Sequence, residues 1–350
     1  MTDIDNLNIG AYLVDKQKYE VREAPMPVIK NPDDVLIRID YVGICGADQD
    51  MFLTGRFGIF DVDFPKIIGH EAAGTVVAIG PAVKNIKVGD KVALEPGVPC
   101  GKCEQCITGH YNLCAEVVFK GAPPVTGCNQ RFVVHPAAWC FPLPGDMTTR
   151  LGSLMEPLAV GMHAANQGGV RLGDTIVING AGTIGLCALA ACRAKGATSL
   201  IVIDKSPVRL MKAEAIGAAT INLNESDPIK KVAEITKGRG ADVVIEASGN
   251  AIGFLNTAYY VRTGGCICCV GLGPKPIIEV DYQTLIYKEV TIKTVNRYCH
   301  DFPLCISALE ADLLNTEGII THEFPLEKIQ EAYEFAINNK DIAIKTIISF

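Results

Sequence analysis

Residues 174–204, "DTIVINGAGTIGLCALAACRAKGATSLIVID", decide the fold of the second half of the chain. A β-branched run ends in a glycine-rich turn, an alanine-rich segment of helical length follows, and a second apolar run ends in an aspartate. This order is that of a strand, a helix and a second, parallel strand. Apolar runs recur at residues 242–248 ("DVVIEAS") and 264–271 ("GGCICCVG"), with helical patterns between them. The alternation predicts an α/β fold with a doubly wound parallel sheet.

The glycine turn has the spacing G-x-G-x-x-G and contains Gly180, Gly182, Thr183, Ile184 and Gly185. The first glycine permits a tight turn, the second lets the backbone approach a pyrophosphate, and the third lets the helix pack closely on the strand. The start of the helix adds unpaired N–H groups and a positive dipole end. Because the motif lies between a strand and a helix, it predicts a dinucleotide site. The alternative is a glycine-rich turn that binds no nucleotide.

The aspartate that ends the second strand, Asp204, bears on the choice between the two nicotinamide cofactors. Its carboxylate would accept hydrogen bonds from both ribose hydroxyls and would repel a 2′-phosphate, so we expect NAD rather than NADP. Arg209, in the next helical segment, is the opposing signal. An arginine there can help to hold a phosphate, or it can lie along the adenine or the ribose.

The composition fits a folded chain with more than one domain. The 350 residues are 49% hydrophobic and 20% charged, and the net charge of −7 comes from scattered carboxylates. This length exceeds what one hydrophobic core usually serves, so we expect two domains. Residues up to about 155 carry short β-branched runs with many Pro, Gly and Cys residues, which predicts a compact β-rich domain. The sequence has no stripe of Lys and Arg, which excludes a nucleic-acid binder.

Fourteen cysteines are many for a chain of this length. The start, "MTDIDNLNIG", has no cationic segment followed by an apolar core, so we expect no signal peptide, reduced thiols and a cytoplasmic location. The longest uncharged stretch, residues 176–192, contains three glycines and is too short for a membrane span. We therefore expect neither a membrane nor a nucleic acid as a partner.

Four of the cysteines lie close together with the spacing C-x2-C-x2-C-x7-C: Cys100, Cys103, Cys106 and Cys114. Four thiolates on one short loop can surround one ion tetrahedrally, as structural zinc requires. Lys102 and the backbone N–H groups of the loop would offset the negative charge. The spacing predicts a structural zinc site, with an iron–sulfur cluster or ordinary buried cysteines as the alternatives.

A second group of metal-ligand types is dispersed along the first half of the chain. Cys45 precedes a turn, His70 and Glu71 precede an apolar run, and Glu156 lies in the apolar context "LMEPLAVG". A buried glutamate is costly unless something compensates its charge, and a metal cation would do so. Cys, His and Glu from separate turns can converge on a zinc ion that keeps one position open for catalysis. Each residue alone could be an ordinary core or turn residue.

An ordered series of motifs resembles the zinc-dependent medium-chain dehydrogenases, and within them the sorbitol/xylitol (polyol) dehydrogenase group. The series comprises "VGICGAD" (42–48), "IIGHEAAGTVVAIG" (67–80), "VGDKVALEPGVPCGKCEQCITGHYNLC" (88–114), "MEPLAVGMHA" (155–164), "INGAGTIG" (178–185), "NRYC" (296–299) and "THEFPLEKIQEAYE" (321–334). The polyol assignment rests chiefly on Glu156 and on Arg297 and Tyr298. The resemblance implies a GroES-like, zinc-binding catalytic domain from residues 1–157 and 295–350, with a Rossmann NAD-binding domain at 158–294 between them.

The resemblance also implies roles for individual residues. Cys45, His70 and Glu71 would be the catalytic zinc ligands, and Glu156 would be a zinc-adjacent residue that holds the metal's water or the substrate. Arg297 and Tyr298 would contact the substrate or the nicotinamide end. Four further residues would lie along the cofactor: Val270, Gly271, Leu272 and Asn296. A homo-oligomer, a dimer or a tetramer, is implied as well.

The activity that the resemblance implies is hydride transfer between NAD and the secondary alcohol of a polyol or sugar derivative. A diol, threonine or a sugar acid is the alternative substrate, and a non-catalytic dinucleotide-binding protein is the alternative class. Three residues depart from the polyol pattern: Ala47 stands where serine is usual, Met51 where tyrosine is common, and Asn296 where phenylalanine is common. Since alanine cannot relay a proton, either water and Glu156 carry it or the substrate differs from an ordinary polyol.

Overall fold

The computed structural model describes residues 7–58, 60–273 and 276–350. The chain folds as two compact units: unit 1, Met1–Glu156 with Ile320–Phe350, and unit 2, Pro157–Ile319. The resemblance implies a return to the first domain at residue 295, whereas in the structure the residues from Ile320 onward belong to unit 1 again. The intervening segment belongs to unit 2 because Val295 donates its N–H to the Cys269 carbonyl at 2.9 Å and Asp301 lies 2.9 Å from His163.

The elements follow one another in a regular order. The first part of unit 1 contains β1 (Ile9–Asp15), β2 (Lys18–Glu23), β3 (Asp34–Gly43), α1 (Gly46–Thr54), β4 (Arg56–Phe57), β5 (Phe60–Asp61), β6 (Glu71–Ile79), β7 (Lys91–Leu94), β8 (Gly97–Val98), α2 (Glu104–Ile107), β9 (Val118–Phe119), β10 (Phe132–Pro136), β11 (Cys140–Pro142) and α3 (Thr149–Gly152). Helix α4 (Met155–Gln167) then leads into unit 2.

Unit 2 alternates strands with helices. It contains β12 (Thr175–Asn179), α5 (Thr183–Ala194), β13 (Ser199–Asp204), α6 (Pro207–Ile216), β14 (Ala219–Asn222), α7 (Pro228–Ile235), β15 (Ala241–Glu246), α8 (Ala251–Tyr260), β16 (Val261–Cys269), α9 (Tyr282–Tyr287), β17 (Thr291–Thr294) and α10 (Asp301–Glu310). The chain ends in unit 1 with β18 (Ile320–Pro325), α11 (Ile329–Asn338) and β19 (Lys345–Ser349).

Unit 1 is built on a mainly antiparallel sheet with the order β11-β7-β6-β3-β19-β18, and β10 pairs with β3. Its strands range from three residues in β11 to ten in β3. Two apolar clusters fill its core, one around Phe52 and Tyr333 and one around Ile37 and Val76. The last strand, β19, pairs with β3 and so joins the two ends of the chain in one sheet.

Unit 2 contains the parallel sheet that the opening stretch predicts, with the order β14-β13-β12-β15-β16-β17. Strands β12 and β13 are buried almost throughout because helices cover both faces of such a sheet. The order reverses between β12 and β15, which creates a crevice at the carboxyl ends of these strands. No helix in the described part of the chain is long and apolar enough to span a bilayer.

Candidate metal and cofactor sites

The four clustered cysteines lie on a loop of unit 1 around the short helix α2. The sulfur atoms of Cys100, Cys103, Cys106 and Cys114 all lie within 4.8 Å of one another. Backbone N–H groups, the first from Lys102, lower the pKa of Cys100 to about 7, whereas burial raises the pKa of Cys106 to about 12, so the full set of thiolates needs a bound cation. Four sulfur ligands at this spacing fit a closed tetrahedral zinc site.

Cys45, His70 and Glu71 meet at one end of the unit 1 sheet. Cys45 lies between β3 and α1, His70 directly precedes β6, and Glu71 is its first residue. Strands β3 and β6 pair with Gly43 opposite Glu71, so the two loops emerge side by side. The ligand atoms of the three residues lie within 4.8 Å of one another. The adjacent His and Glu therefore lie where β6 begins, beside a cysteine that follows the neighbouring strand β3.

Asp48, on α1, orients this group. Its carboxylate accepts the Cys45 backbone N–H at 3.2 Å, and its other oxygen lies 3.3 Å from His70 Nδ1. A carboxylate at Nδ1 leaves Nε2 of the imidazole for a metal. Burial lowers the pKa of His70, but Asp48 and Cys45 outweigh this and raise it well above its ordinary value. Burial raises the pKa of Cys45, so this thiol needs a nearby cation to ionise.

Lys345, on β19, forms a buried ion pair with Glu71. Its ammonium lies 2.8 and 2.7 Å from the two carboxylate oxygens and also donates to the Ile44 carbonyl at 3.0 Å. Burial lowers the pKa of Lys345, but the Glu71 carboxylate and the other nearby charges raise it by more, so the net shift is upward. With both oxygens on Lys345, Glu71 can serve a metal only by sharing or releasing one of them.

Glu156 lies on the first turn of α4 and is 6% exposed. Among the described residues, the group of metal-ligand atoms within 4.8 Å of one another contains Cys45, His70 and Glu71, and Glu156 is outside it. The charge of Glu156 acts on Lys345, so Glu156 lies near the ion pair of Lys345 and Glu71. Met51 is fully buried in the apolar cluster around Phe52, so its side chain packs in the core.

The glycine turn of unit 2 borders a cavity of about 440 Å³ at the reversal between β12 and β15. Its lining includes Gly180, Gly182, Asp204, Arg209, Ser248 and Asn250. Gly180 has φ 100°, and a Cβ there would lie 2.8 Å from the Ser248 backbone. A Cβ on Gly182 would meet only Arg209, at 3.7 Å, so the N-terminus of α5 is open to a ligand. This backbone fits a pyrophosphate.

Asp204 ends β13 and is fixed by the backbone on both sides. One carboxylate oxygen accepts the Ala181 N–H at 2.7 Å, and the other accepts the Ser206 N–H at 2.9 Å. Arg209 lies 4.0 Å from the same carboxylate. The predicted ribose-binding aspartate and its opposing arginine are thus neighbours, and each balances the charge of the other.

Other predicted cofactor residues lie outside the lining of this cavity: Thr183, Ile184, Gly185, Val270, Gly271, Leu272 and Asn296. Thr183, Ile184 and Gly185 form the first turn of α5, and a Cβ on Gly185 would clash with the Gly180 carbonyl. Leu272 is 98% exposed.

Arg297 and Tyr298 lie in unit 2, on the segment between β17 and α10. Arg297 has a left-handed backbone with φ 59°. Tyr298 is 3% exposed and packs on Phe302 with the ring centres 5.4 Å apart. The side chain of Tyr298 is therefore fixed by packing, and the substrate role of both residues stays a prediction.

Similarity to known proteins covers both units. The family described as "Alcohol dehydrogenase GroES-like domain" matches residues 31–145, and the family described as "Zinc-binding dehydrogenase" matches residues 183–311. Sorbitol dehydrogenase of Rattus norvegicus is 41% identical over 327 residues, 93% of this chain and 90% of that protein.

Solved structures give the same picture. An Escherichia coli oxidoreductase of unknown specificity has a TM-score of 0.94 and 40% identity, with 98% of this chain and 99% of that chain covered. L-idonate 5-dehydrogenase from Escherichia coli has a TM-score of 0.90 and 29% identity, with 98% of both chains covered. These similarities extend over both units.

Proposed function

The chain belongs to the family of zinc-dependent alcohol dehydrogenases that includes the sorbitol dehydrogenases, and from that premise we propose that it transfers hydride between NAD and the secondary alcohol of a polyol or sugar derivative. The observation that carries the proposal is the meeting of Cys45, His70 and Glu71 at one strand end, in a chain that also has a glycine-lined dinucleotide crevice. Both halves of a dehydrogenase are then present, one in each unit.

The residues of unit 1 would hold and tune the catalytic metal. Zinc, when bound, supplies a Lewis acid that makes loss of the alcohol proton easier. Cys45 and His70 offer a sulfur and an imidazole nitrogen, and Asp48 fixes the orientation of His70. Lys345 keeps the Glu71 carboxylate next to this group and balances its charge. Glu71 and Glu156 are the candidates for the remaining ligand and for holding the substrate.

The proton of the alcohol needs a route that differs from the usual one. The half-buried Ala47 has no hydroxyl to relay it. We propose that water and the carboxylate of Glu156 carry the proton. In the partly closed environment of Glu156, which is 6% exposed, a carboxylate can exchange a proton with a neighbouring hydroxyl.

The residues of unit 2 would hold NAD. The backbone around Gly180 and Gly182 would bind the pyrophosphate, and Asp204 would accept the ribose hydroxyls. Arg209 would lie against the adenosine end, with its charge balanced by Asp204. Val270, Gly271, Leu272 and Asn296 would follow the cofactor toward the nicotinamide, and Arg297 and Tyr298 would contact the substrate or the nicotinamide end.

The four-cysteine loop would hold the second, structural zinc. Its thiols take no part in the proposed reaction, because they form a group separate from Cys45, His70 and Glu71. A closed tetrahedral site has no open position for a substrate. Its role is therefore to stabilise the fold of the loop 100–114.

A sugar acid is the second candidate substrate. The structural similarity to L-idonate 5-dehydrogenase favours it, together with the loss of the usual serine at Ala47. A sugar acid would need a cation near its acid group. Arg56, on β4, is the candidate, and its guanidinium is ion-paired with Asp61 at 3.1 Å. The polyol is the leading proposal because the sorbitol dehydrogenase of Rattus norvegicus is 41% identical to this chain, whereas L-idonate 5-dehydrogenase is 29% identical.

A homo-oligomer and a cytoplasmic location complete the proposal. The edge strand β17 is exposed along its length, Ile292 on it is 44% exposed, and Tyr287 before it is 83% exposed. An uncovered edge strand with apolar neighbours is suited to pairing with a second copy. None of the fourteen cysteines, all within the described residues, forms a disulfide, which suits a reducing compartment.

The experiment that tests the function is a screen for NADH formation with the purified protein. The panel contains sorbitol, xylitol, a vicinal diol, threonine and a hexonic acid, each with NAD and with NADP. We expect NADH from a polyol and little or no NADPH. Turnover of the hexonic acid alone would favour the second candidate, and turnover of none of them, with NADH bound, would favour the non-catalytic alternative.

A further inference from the structure

Glu246 is a buried carboxylate that the proposed mechanism leaves unused. It is the last residue of β15 and is 1% exposed. Burial raises its pKa, while hydrogen bonds from Ser248, Gly249 and Asn179 oppose the shift. A buried carboxylate costs free energy unless donors surround it, so its presence here needs an explanation. Its position at the carboxyl end of a central parallel strand, beside the reversal of strand order, is where ligands of such sheets bind.

The Glu246 side chain joins two turns that border the cofactor crevice. Its Oε1 accepts the Ser248 N–H at 3.0 Å and the Ser248 hydroxyl in a short contact, and Asn179 Nδ2 lies 3.4 Å away. Its Oε2 accepts the Gly249 N–H at 3.4 Å. Asn179 is the residue directly before Gly180, so one carboxylate links the glycine turn after β12 to the turn after β15.

The backbone of Glu246 reaches a third turn. Its carbonyl accepts the N–H groups of Val270 and Gly271, each at 2.9 Å. The next residue, Ala247, donates its N–H to the Asn179 carbonyl at 2.9 Å. Glu246 therefore ties together the ends of β12, β15 and β16, and it connects the segment 270–272, which lies outside the crevice lining, to the two turns that border the crevice.

The turns after β15 and β16 approach each other so closely that neither Gly249 nor Gly271 leaves room for a side chain. A Cβ on Gly271 would clash with the Gly249 nitrogen and lie 2.6 Å from Glu246 Oε2. A Cβ on Gly249 would lie 2.5 Å from the Leu272 carbonyl oxygen. This close packing and the two hydrogen bonds to the Glu246 carbonyl couple the position of Glu246 to that of the segment 270–272.

We propose that Glu246 is a positioning residue for the dinucleotide: its carboxylate and carbonyl fix the turns at Asn179–Gly180, Ser248–Gly249 and Val270–Gly271 in the arrangement that receives NAD. The proposal rests on the proposed function, since NAD must occupy the crevice. In this role Glu246 would hold the turns that bind the cofactor and would not itself contact the cofactor. A preorganised turn binds more tightly because less ordering accompanies binding.

The test measures the NADH dissociation constant of the zinc-loaded protein by the fluorescence of bound NADH. Glu246→Gln replaces one oxygen with a donor that faces the N–H of Gly249, and Ser248→Ala removes the hydroxyl donor. Glu234→Gln is the matched control, because Glu234 is exposed and its side chain contacts Lys231 at 2.7 Å. The thermal unfolding midpoint, the zinc content and the KM for the alcohol at saturating NAD are measured on the same samples.

We expect Glu246→Gln to weaken NADH binding about tenfold and Ser248→Ala about threefold, since hydrogen bonds to a charged group are the stronger ones. Zinc content and the KM for the alcohol stay at the values of the unaltered protein, and Glu234→Gln changes none of them. If Glu246→Gln does not fold, Glu246→Asp decides, because it keeps the charge and draws the carboxylate back from the N–H groups of Ser248 and Gly249.

Failure of this inference can be distinguished from failure of the proposed function. Unchanged NADH affinity in Glu246→Gln and Ser248→Ala, with or without a lower unfolding midpoint, assigns Glu246 a purely structural role and overturns the inference alone. Absence of NADH binding by the unaltered protein contradicts the proposed function itself, and the inference falls with it.

Discussion

Single residues at the candidate metal site depend on partners far away in the sequence. Glu71 and Lys345 are 274 positions apart, yet they form a buried ion pair, and Asp48 is joined to His70 from another element. The ligand types and the "HE" pair could be predicted from local motifs. Neither Lys345 nor the orienting role of Asp48 could be, because only the pairing of β19 with β3 brings Lys345 to the site.

Replacing Lys345 with methionine tests this pair. Lys345→Met leaves the Glu71 carboxylate buried without its cation, so we expect the free energy of unfolding to fall by about 3–5 kcal/mol. Urea unfolding of the metal-free protein measures it. Lys328→Met is the control, because Lys328 lies on the surface beside Glu331. A loss below about 1 kcal/mol would contradict a stabilising role for the pair.

The buried side chain of His135 makes the stability of the protein depend on pH. The side chain is 2% exposed and its Nε2 lies 2.8 Å from the Glu95 carbonyl oxygen. Burial, with a smaller contribution from Lys120, lowers the pKa of His135 to about 3. Above the ordinary histidine pKa of about 6.5, His135 is neutral in both the folded and the unfolded protein. Between about pH 6.5 and pH 3, only the unfolded state binds the proton, so acid lowers the free energy of unfolding.

The measurement is urea unfolding at pH 7.5 and at pH 5.5. His135 contributes about 1 kcal/mol to the decrease in the free energy of unfolding between these values. His135→Gln removes that contribution, so its decrease is smaller by this amount. Equal decreases in both proteins would show that His135 does not titrate in this way.

At the scale of elements, the two segments with strong local patterns agree with the predictions. The strand, glycine turn and helix of residues 175–194 appear as β12 and α5, and the four-cysteine spacing brings four sulfur atoms together. Local periodicity and ligand spacing suffice there because partners are close in sequence. The return of the chain to unit 1 at Ile320 depends on the packing of α10 in unit 2, which no local pattern contains.

Gly180→Ala tests the glycine turn as an element. Its φ of 100° disfavours a side chain, and the new Cβ would lie 2.8 Å from the Ser248 backbone. We expect NADH affinity to fall at least about tenfold. Gly169→Ala is the matched control, since Gly169 also has a positive φ but open space around it. Equal effects of the two changes would assign the loss to backbone strain and not to the closed crevice.

At the scale of the whole molecule, the edge strand β17 predicts self-association. Ile292→Lys adds a charge to a strand that would otherwise pair with a second copy. Sedimentation equilibrium is expected to show a shift from the oligomer toward the monomer. Met211→Lys is the control, because Met211 is 56% exposed and lies on α6, which packs on β13 and β14 at the opposite edge of the sheet. The same oligomer in both variants would place the interface elsewhere.

The central claim of a two-zinc, NAD-linked dehydrogenase is tested most directly by the zinc content of the unaltered protein and of Cys45→Ser. We predict about two zinc ions per chain in the unaltered protein. Cys45→Ser is expected to retain about one, at the four-cysteine loop, and to lose NADH formation. About one zinc in both proteins would contradict the claim, because Cys45, His70 and Glu71 would then hold no metal.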